Sequence, residues 1–164
     1  HRCDGGLVLL DVGVDGAWAA ARELQRRLRD NGADPGAKIL VQAMAPGVAE
    51  LFIGVTVSEG HAPLLVVGVG GVLVELLDDR ATGLCPVDEG EALRMLRSLR
   101  LFPAFDGYRS RPKADIAAAA RAISALSTFA IDAKEWLVEA EINPLMVMAE
   151  GGGAFAVDAL VVAR

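Results

Sequence analysis

Two apolar runs, Trp136 to Val147 and Ala154 to Val162, are separated by Glu150-Gly151-Gly152-Gly153, and no other feature constrains the chain as much. Glycine turns a chain through left-handed backbone without steric cost, so the runs read as an antiparallel hairpin. Strand side chains alternate between faces. Glu139, Glu141 and Asn143 therefore share one face of the first strand, and Asp158 is the only acid of the second. A turn centred between Glu150 and Gly151 puts Asn143 opposite Asp158 on the same face. A slip of one residue would send Asp158 to the other side. Carboxylates with an amide oxygen, and no histidine or thiolate, suit a hard cation. Magnesium takes oxygen ligands and keeps waters and phosphate oxygens in its shell. A solvated outer face on an edge hairpin accounts for the same pattern, and spacing alone leaves the two readings level.

Earlier in the chain the hydrophobic period changes several times. Gly6 to Val12 reads as a strand and Gly16 to Asp30 as a helix, with Trp18, Ala21, Leu24, Gln25 and Leu28 at helical spacing. Arg22, Arg26, Arg27 and Arg29 read as its solvated face, and Asn31-Gly32 stops it. Gly32 to Gly36 is a loop and a candidate lobe boundary. Four short strands are expected next, at Lys38 to Met44, Glu50 to Val57, Leu64 to Val67 and Val72 to Leu77. Asp88 to Leu101 and Ala114 to Ala130 read as helices around an irregular stretch, Phe102 to Pro112. The order implies a mixed α+β domain.

Composition excludes several classes. A net charge of −6 argues against a surface for nucleic acid, which needs a basic face. The longest apolar stretch, Ala62 to Leu77, is broken by Pro63, Gly68, Gly70, Gly71 and Glu75, so no membrane span is expected. The polar start of the sequence gives no sign of a signal peptide. Cys3 and Cys85 are the only cysteines, so neither a disulfide framework nor a cysteine zinc pattern is expected, and a reducing cytoplasm is the default setting.

The segment Glu141-Ile142-Asn143-Pro144-Leu145, followed by Val157-Asp158-Ala159, resembles the end of the ATP-grasp domain in ADP-forming acyl-CoA synthetases, relatives of the succinyl-CoA synthetase β subunit. By that resemblance Asn143 and Asp158 hold the magnesium bound to nucleotide phosphates, with Glu141 a further ligand or an acceptor behind them. Val41-Gln42-Ala43-Met44-Ala45-Pro46-Gly47, followed by Glu50-Leu51-Phe52-Ile53-Gly54-Val55, is similar to the family's segment along the adenine edge. The resemblance makes Gln42, Ala43 and Met44 backbone contacts to the base and places Glu50 near the ribose. Gly68-Val69-Gly70-Gly71 resembles a glycine loop near the phosphates, which adds Gly70 and Gly71. No Gly-Lys-Ser/Thr follows it, so it is not a Walker loop. Asp79 and Pro86 match family positions, whereas Gly83 stands where the family usually has a basic residue. Gly107-Tyr108-Arg109 resembles a Gly-x-Arg-Gly segment, with Ser110 replacing the second glycine. His1-Arg2-Cys3-Asp4-Gly5-Gly6 is similar to a His-Lys-Ser-Asp-x-Gly-Gly segment that carries the phosphate-accepting histidine, which makes His1 the catalytic residue by resemblance.

The resemblance implies an ATP-grasp fold, with residues 1–36 as part of the N-terminal lobe and 37–164 as the C-terminal lobe. A complete domain has a further portion before the histidine, with a phosphate-contacting lysine that these residues do not match. It also implies ATP or ADP with Mg2+ as ligands, bound between the lobes, and a CoA-binding and ligase domain or α subunit as partner. The sequence leaves homo-oligomerisation open. The implied chemistry is acid–CoA ligation, with phosphoryl passing between a phosphohistidine and the nucleotide. A different reading is a degenerate, non-catalytic ATP-grasp module with a regulatory role in a lysine acetyltransferase fusion.

Overall fold

A computed structural model of the chain describes residues 8–32, 34, 36–70 and 78–164. The expected strand Val72 to Leu77 and the candidate residues His1 and Gly71 lie outside these residues. The chain divides into two compact units, His1–Met44 and Ala45–Arg164.

In the first unit a 3-10 turn at Val14–Gly16 leads into helix α1, Ala17–Asp30. Asn31 ends it, its backbone N–H donating to the Arg27 carbonyl and that of Gly32 to the Arg29 carbonyl, both at 3.0 Å. Glu23 accepts from Arg26 and Arg27, and Arg26 also meets Asp30, so the arginine face is laced by exposed and half-buried ion pairs. No α1 residue is fully buried, and Trp18 is 81% exposed. Two expectations fail here. Residues 8–12, the described part of the first expected strand, are irregular, and so is Lys38 to Met44. Both runs have β-forming residues, but a strand exists only when a neighbour takes its hydrogen bonds. Leu40 and Val41 are accordingly exposed.

In the second unit, strands β1 (Ala49–Thr56), β2 (Leu64–Val69) and β3 (Arg80–Leu84) precede helices α2 (Glu89–Ser98), α3 (Phe102–Phe105) and α4 (Ile116–Asp132). Strands β4 (Leu137–Val147), β5 (Ala154–Ala156) and β6 (Ala159–Ala163) follow. Among the described residues one sheet runs β3-β2-β1-β4-β5, with β6 also on β4, and every pairing is antiparallel. β3 was not foreseen: Arg-Ala-Thr-Gly-Leu has little of the composition of a strand, and β2 recruits it by pairing from Leu64↔Leu84 to Gly68↔Arg80.

Side-chain alternation builds the core on one face of this sheet. Leu51, Ile53 and Val55 of β1, Leu65 and Val67 of β2, and Ala140, Leu145 and Val147 of β4 are buried. α2 and α4 cover them with Ala92, Met95 and Leu96, and with Ala119, Ala120, Ile123 and Ala130. Small alanines let α4 lie close to the strands. Both helices begin with an aspartate cap. The Asp88 carboxylate accepts from Glu91 N at 2.7 Å, and that of Asp115 from Ala118 N at 3.0 Å. No helix among the described residues is long and apolar enough to cross a membrane.

The opposite face of the sheet carries no described helix of this unit. It holds Glu50, Phe52 and Gly54 of β1, Val66 and Gly68 of β2, Arg80 and Thr82 of β3, and Glu139, Glu141 and Asn143 of β4, as alternation against the buried positions requires.

Candidate functional site

β4 supplies the centre of this helix-free face. The β4–β5 and β4–β6 ladders keep one register, from Val147↔Ala154 and Leu145↔Ala156 to Ile142↔Ala159 and Glu139↔Val162. That is the register of a turn centred between Glu150 and Gly151, and it sets Asn143 opposite Asp158. The Asn143 N–H donates to the Asp158 carbonyl at 3.0 Å, and the Val157 N–H to the Pro144 carbonyl at 3.1 Å. The second expected strand is nevertheless broken at Val157-Asp158, between β5 and β6. The break lies opposite Pro144, which has no N–H to return to the ladder. On its other edge β4 also departs from regularity. Between Ile53↔Ile142 and Leu51↔Leu145, Phe52 alone opposes both Asn143 and Pro144, which is a β-bulge. Bulges re-aim side chains, and this one lies at the residue in question.

Asn143 is half-buried, and its amide nitrogen donates to Glu141 Oε1 at 3.0 Å, so the two side chains share a face. That bond uses the amide nitrogen, and Asn143 Oδ1 has no hydrogen-bond partner among the described residues. Asp158 is exposed. Among the described residues no three His, Cys, Asp or Glu side chains converge on one point. Asn143 and Asp158, opposite each other in register, offer one amide oxygen and one carboxylate, with Glu141 bonded to the amide. All of these are oxygen donors, and so few leave coordination positions for water and phosphate, the pattern magnesium favours.

Gly70 lies on the same side of the unit as Glu50. Its N–H donates to the Glu50 carbonyl at 2.7 Å. A Cβ at position 70 would come within 3.0–3.1 Å of Glu50 and Leu51 backbone and Glu50 Cβ atoms, so glycine is needed for this close approach. At Gly68 a Cβ would stand 2.2 Å from Phe52 Cε1: the Phe52 ring lies over that glycine on the helix-free face. Gln42, Ala43 and Met44 are exposed, without regular secondary structure, and belong to the first unit.

Asp79, which matches the family, and Gly83, which departs from it, both acquire physical readings. The Asp79 carboxylate is buried and accepts from the Arg100 and Leu101 N–H groups, both at 2.8 Å, so it ties the start of β3 to the chain ahead of α3. A side chain at Gly83 would point at Met95 Sδ and Val87 Cγ2, 3.3 and 3.4 Å away, toward the helices. The want of a basic residue at Gly83 therefore leaves the helix-free face unchanged. The Gly107 to Ser110 turn has left-handed backbone at Gly107, Arg109 and Ser110, and the Arg109 guanidinium lies 5.2 Å from the Tyr108 ring centre.

Comparison with known proteins follows from this geometry. The β subunit of acetate–CoA ligase [ADP-forming] II from Pyrococcus furiosus is 28% identical over 168 aligned residues, covering 100% of this chain and 70% of that subunit. Acetate–CoA ligase [ADP-forming] I from Archaeoglobus fulgidus is 32% identical over 154 residues, 92% of this chain and only 22% of that protein. The solved structure of the dinucleotide-forming acetyl-coenzyme A synthetase 1 of Ca. Korarchaeum cryptofilum superposes with a TM-score of 0.80 at 27% identity, over 100% of this chain and 71% of that one. That protein is in complex with coenzyme A and Mg-AMPPCP, its phosphohistidine segment pointing towards the nucleotide-binding site. A family model described as an ATP-grasp domain matches residues 1–163, and the chain belongs to that family.

Proposed function

We propose that this chain is the nucleotide-binding part of an ADP-forming acid–CoA ligase, handling phosphoryl exchange between a phosphohistidine and ADP or ATP. The observation that carries the proposal is the bulged centre of β4: Asn143 stands opposite Asp158, its amide nitrogen held by Glu141. Relatives named as ligases favour this reading over a non-catalytic module.

Phosphoryl transfer asks a protein mainly for alignment and charge neutralisation. Asn143 Oδ1 and the Asp158 carboxylate would hold Mg2+, which supplies positive charge to the phosphates. Glu141 acts one step back, orienting the Asn143 amide so that its oxygen faces the ion. Backbone at Gln42, Ala43 and Met44 reads the base, Glu50 takes the ribose, and Gly70 and Gly71 let the chain approach the phosphates. His1, outside the described residues, is the phosphate carrier. The histidine N–P bond breaks as a terminal ADP oxygen forms the new P–O bond. The acid and CoA steps belong to a CoA-binding domain or subunit of the same enzyme, in the reducing cytoplasm that the cysteine usage suggests. Residues 1–36 and 37–164 serve as the two lobes.

Asp158→Asn and Asn143→Ala test this in the full protein. Each should weaken use of magnesium nucleotide by at least the roughly tenfold to hundredfold that loss of an outer-shell partner costs, far more than it shifts the thermal melt. Turnover retained within about twofold would place the metal elsewhere.

A further inference from the structure

We propose that Arg80 contacts the phosphates of the bound nucleotide, an inference that rests on the nucleotide reading above. Arg80 is the only lysine or arginine in the six described strands. It pairs with Gly68, and Gly68 pairs with Phe52, the residue opposed to Asn143 and Pro144 in the bulge. Arg80, Gly68, Phe52 and Asn143 thus form one row across the helix-free face. Three strand spacings separate its ends, about 14 Å. The strand acids of the unit, Glu50, Glu139 and Glu141, all lie on this face as well.

The electrostatic argument follows from that distribution. A magnesium nucleotide brings several phosphate oxygens, of which the ion at Asn143 can neutralise only part. The carboxylates on this face repel the rest. A cation at the far end of the row offsets that repulsion, and Arg80 alone among the described strand residues supplies one. Its reach is adequate: a metal–oxygen bond of about 2.1 Å, the phosphates and a charge-assisted bond of about 2.8 Å bridge the gap left by the two side chains. Gly83, on the same strand, faces the helices and cannot substitute.

Arg80 is held now by Asp78, Nε to Oδ1 2.8 Å, with side chains 59% and 71% exposed. An ion pair so exposed contributes little, so phosphate can displace Asp78 from the guanidinium. Asp78 therefore competes with the ligand, which predicts opposite effects of removing the two partners.

Equilibrium binding of Mg-ADP to the full protein, with phosphate-free adenosine alongside, tests this. Arg80→Ala should weaken Mg-ADP roughly tenfold or more and leave adenosine within twofold. Asp78→Asn should leave Mg-ADP binding unweakened or tighten it; asparagine tolerates the left-handed φ of +44° found at that position. Equal weakening by both substitutions means that the pair only shapes the loop, and overturns the proposal. So does an Arg80→Ala protein that binds Mg-ADP as wild type does, or one that loses adenosine to the same degree. If the wild-type protein binds no magnesium nucleotide, the functional reading falls and this inference with it.

Discussion

Asp115 does two jobs with one carboxylate. Oδ1 caps α4 at Ala118 N, and Oδ2 accepts from Gly153 N at 3.0 Å, pinning the β4–β5 turn to the helix start. Those N–H groups, Ala118 first and then Gly153, hold the carboxyl below its ordinary 3.8. The folded state thus binds its proton less readily than the unfolded one, so this contribution is complete above about pH 4 and is lost as pH falls through the lowered folded value. Asp115→Ala should cost about 1–2 kcal/mol in denaturant unfolding at pH 7. The stability gap between wild type and Asp115→Asn should narrow as the same titration is repeated down to pH 3. A gap independent of pH would mean that the charge plays no part. Glu23 shows the contrast: the Arg26 hydrogen bond, then that of Arg27, holds it down to about 2, yet Glu23 and Arg27 are only half-buried and Arg26 is exposed, so water screens them.

At the scale of elements, α4 is fixed to the strands by a polar contact inside the core as well as by alanine packing. Ser127 is fully buried, and its Oγ accepts from Val87 N at 2.7 Å, just beyond β3 and ahead of α2. Burial pushes the neighbouring Cys85 thiol up, against a lowering bond to Ser127. Ser127→Ala removes the acceptor and strands a buried N–H, so about 1–3 kcal/mol should be lost. A variant as stable as wild type in urea would show that Val87 finds another acceptor. The hairpin is organised differently: its register survives the bulge because two hydrogen bonds, Asn143 N to Asp158 O and Val157 N to Pro144 O, bridge the gap between β5 and β6.

For the whole molecule, every residue of the hydrophobic core cluster among those described lies in the second unit. α1 in the first unit has no buried residue. A protein of residues 45–164 should therefore melt cooperatively, within a few degrees of the longer chain's main transition, by circular dichroism. A broad, non-cooperative melt would show that the first unit supplies part of the core's stability. The same fragment lacks Gln42, Ala43 and Met44, so it also separates folding from recognition of the base.

Much was readable from local pattern. The hairpin register, the shared face of Glu141 and Asn143 and the two helices after the strands all follow from alternation, from helical period and from glycine at the turn, which act within a few residues. Three things were decided only in three dimensions. β3 forms because β2 offers it an edge, not because Arg80 to Leu84 prefers strand. Lys38 to Met44 remains irregular because no described strand pairs with it, although its composition invites one. Arg80 comes into line with Asn143 through two intervening strands, and no spacing along the chain encodes that alignment. Local preference is written in neighbouring residues, whereas partnership across a sheet is set by which edges meet, and that depends on the packing of the whole unit.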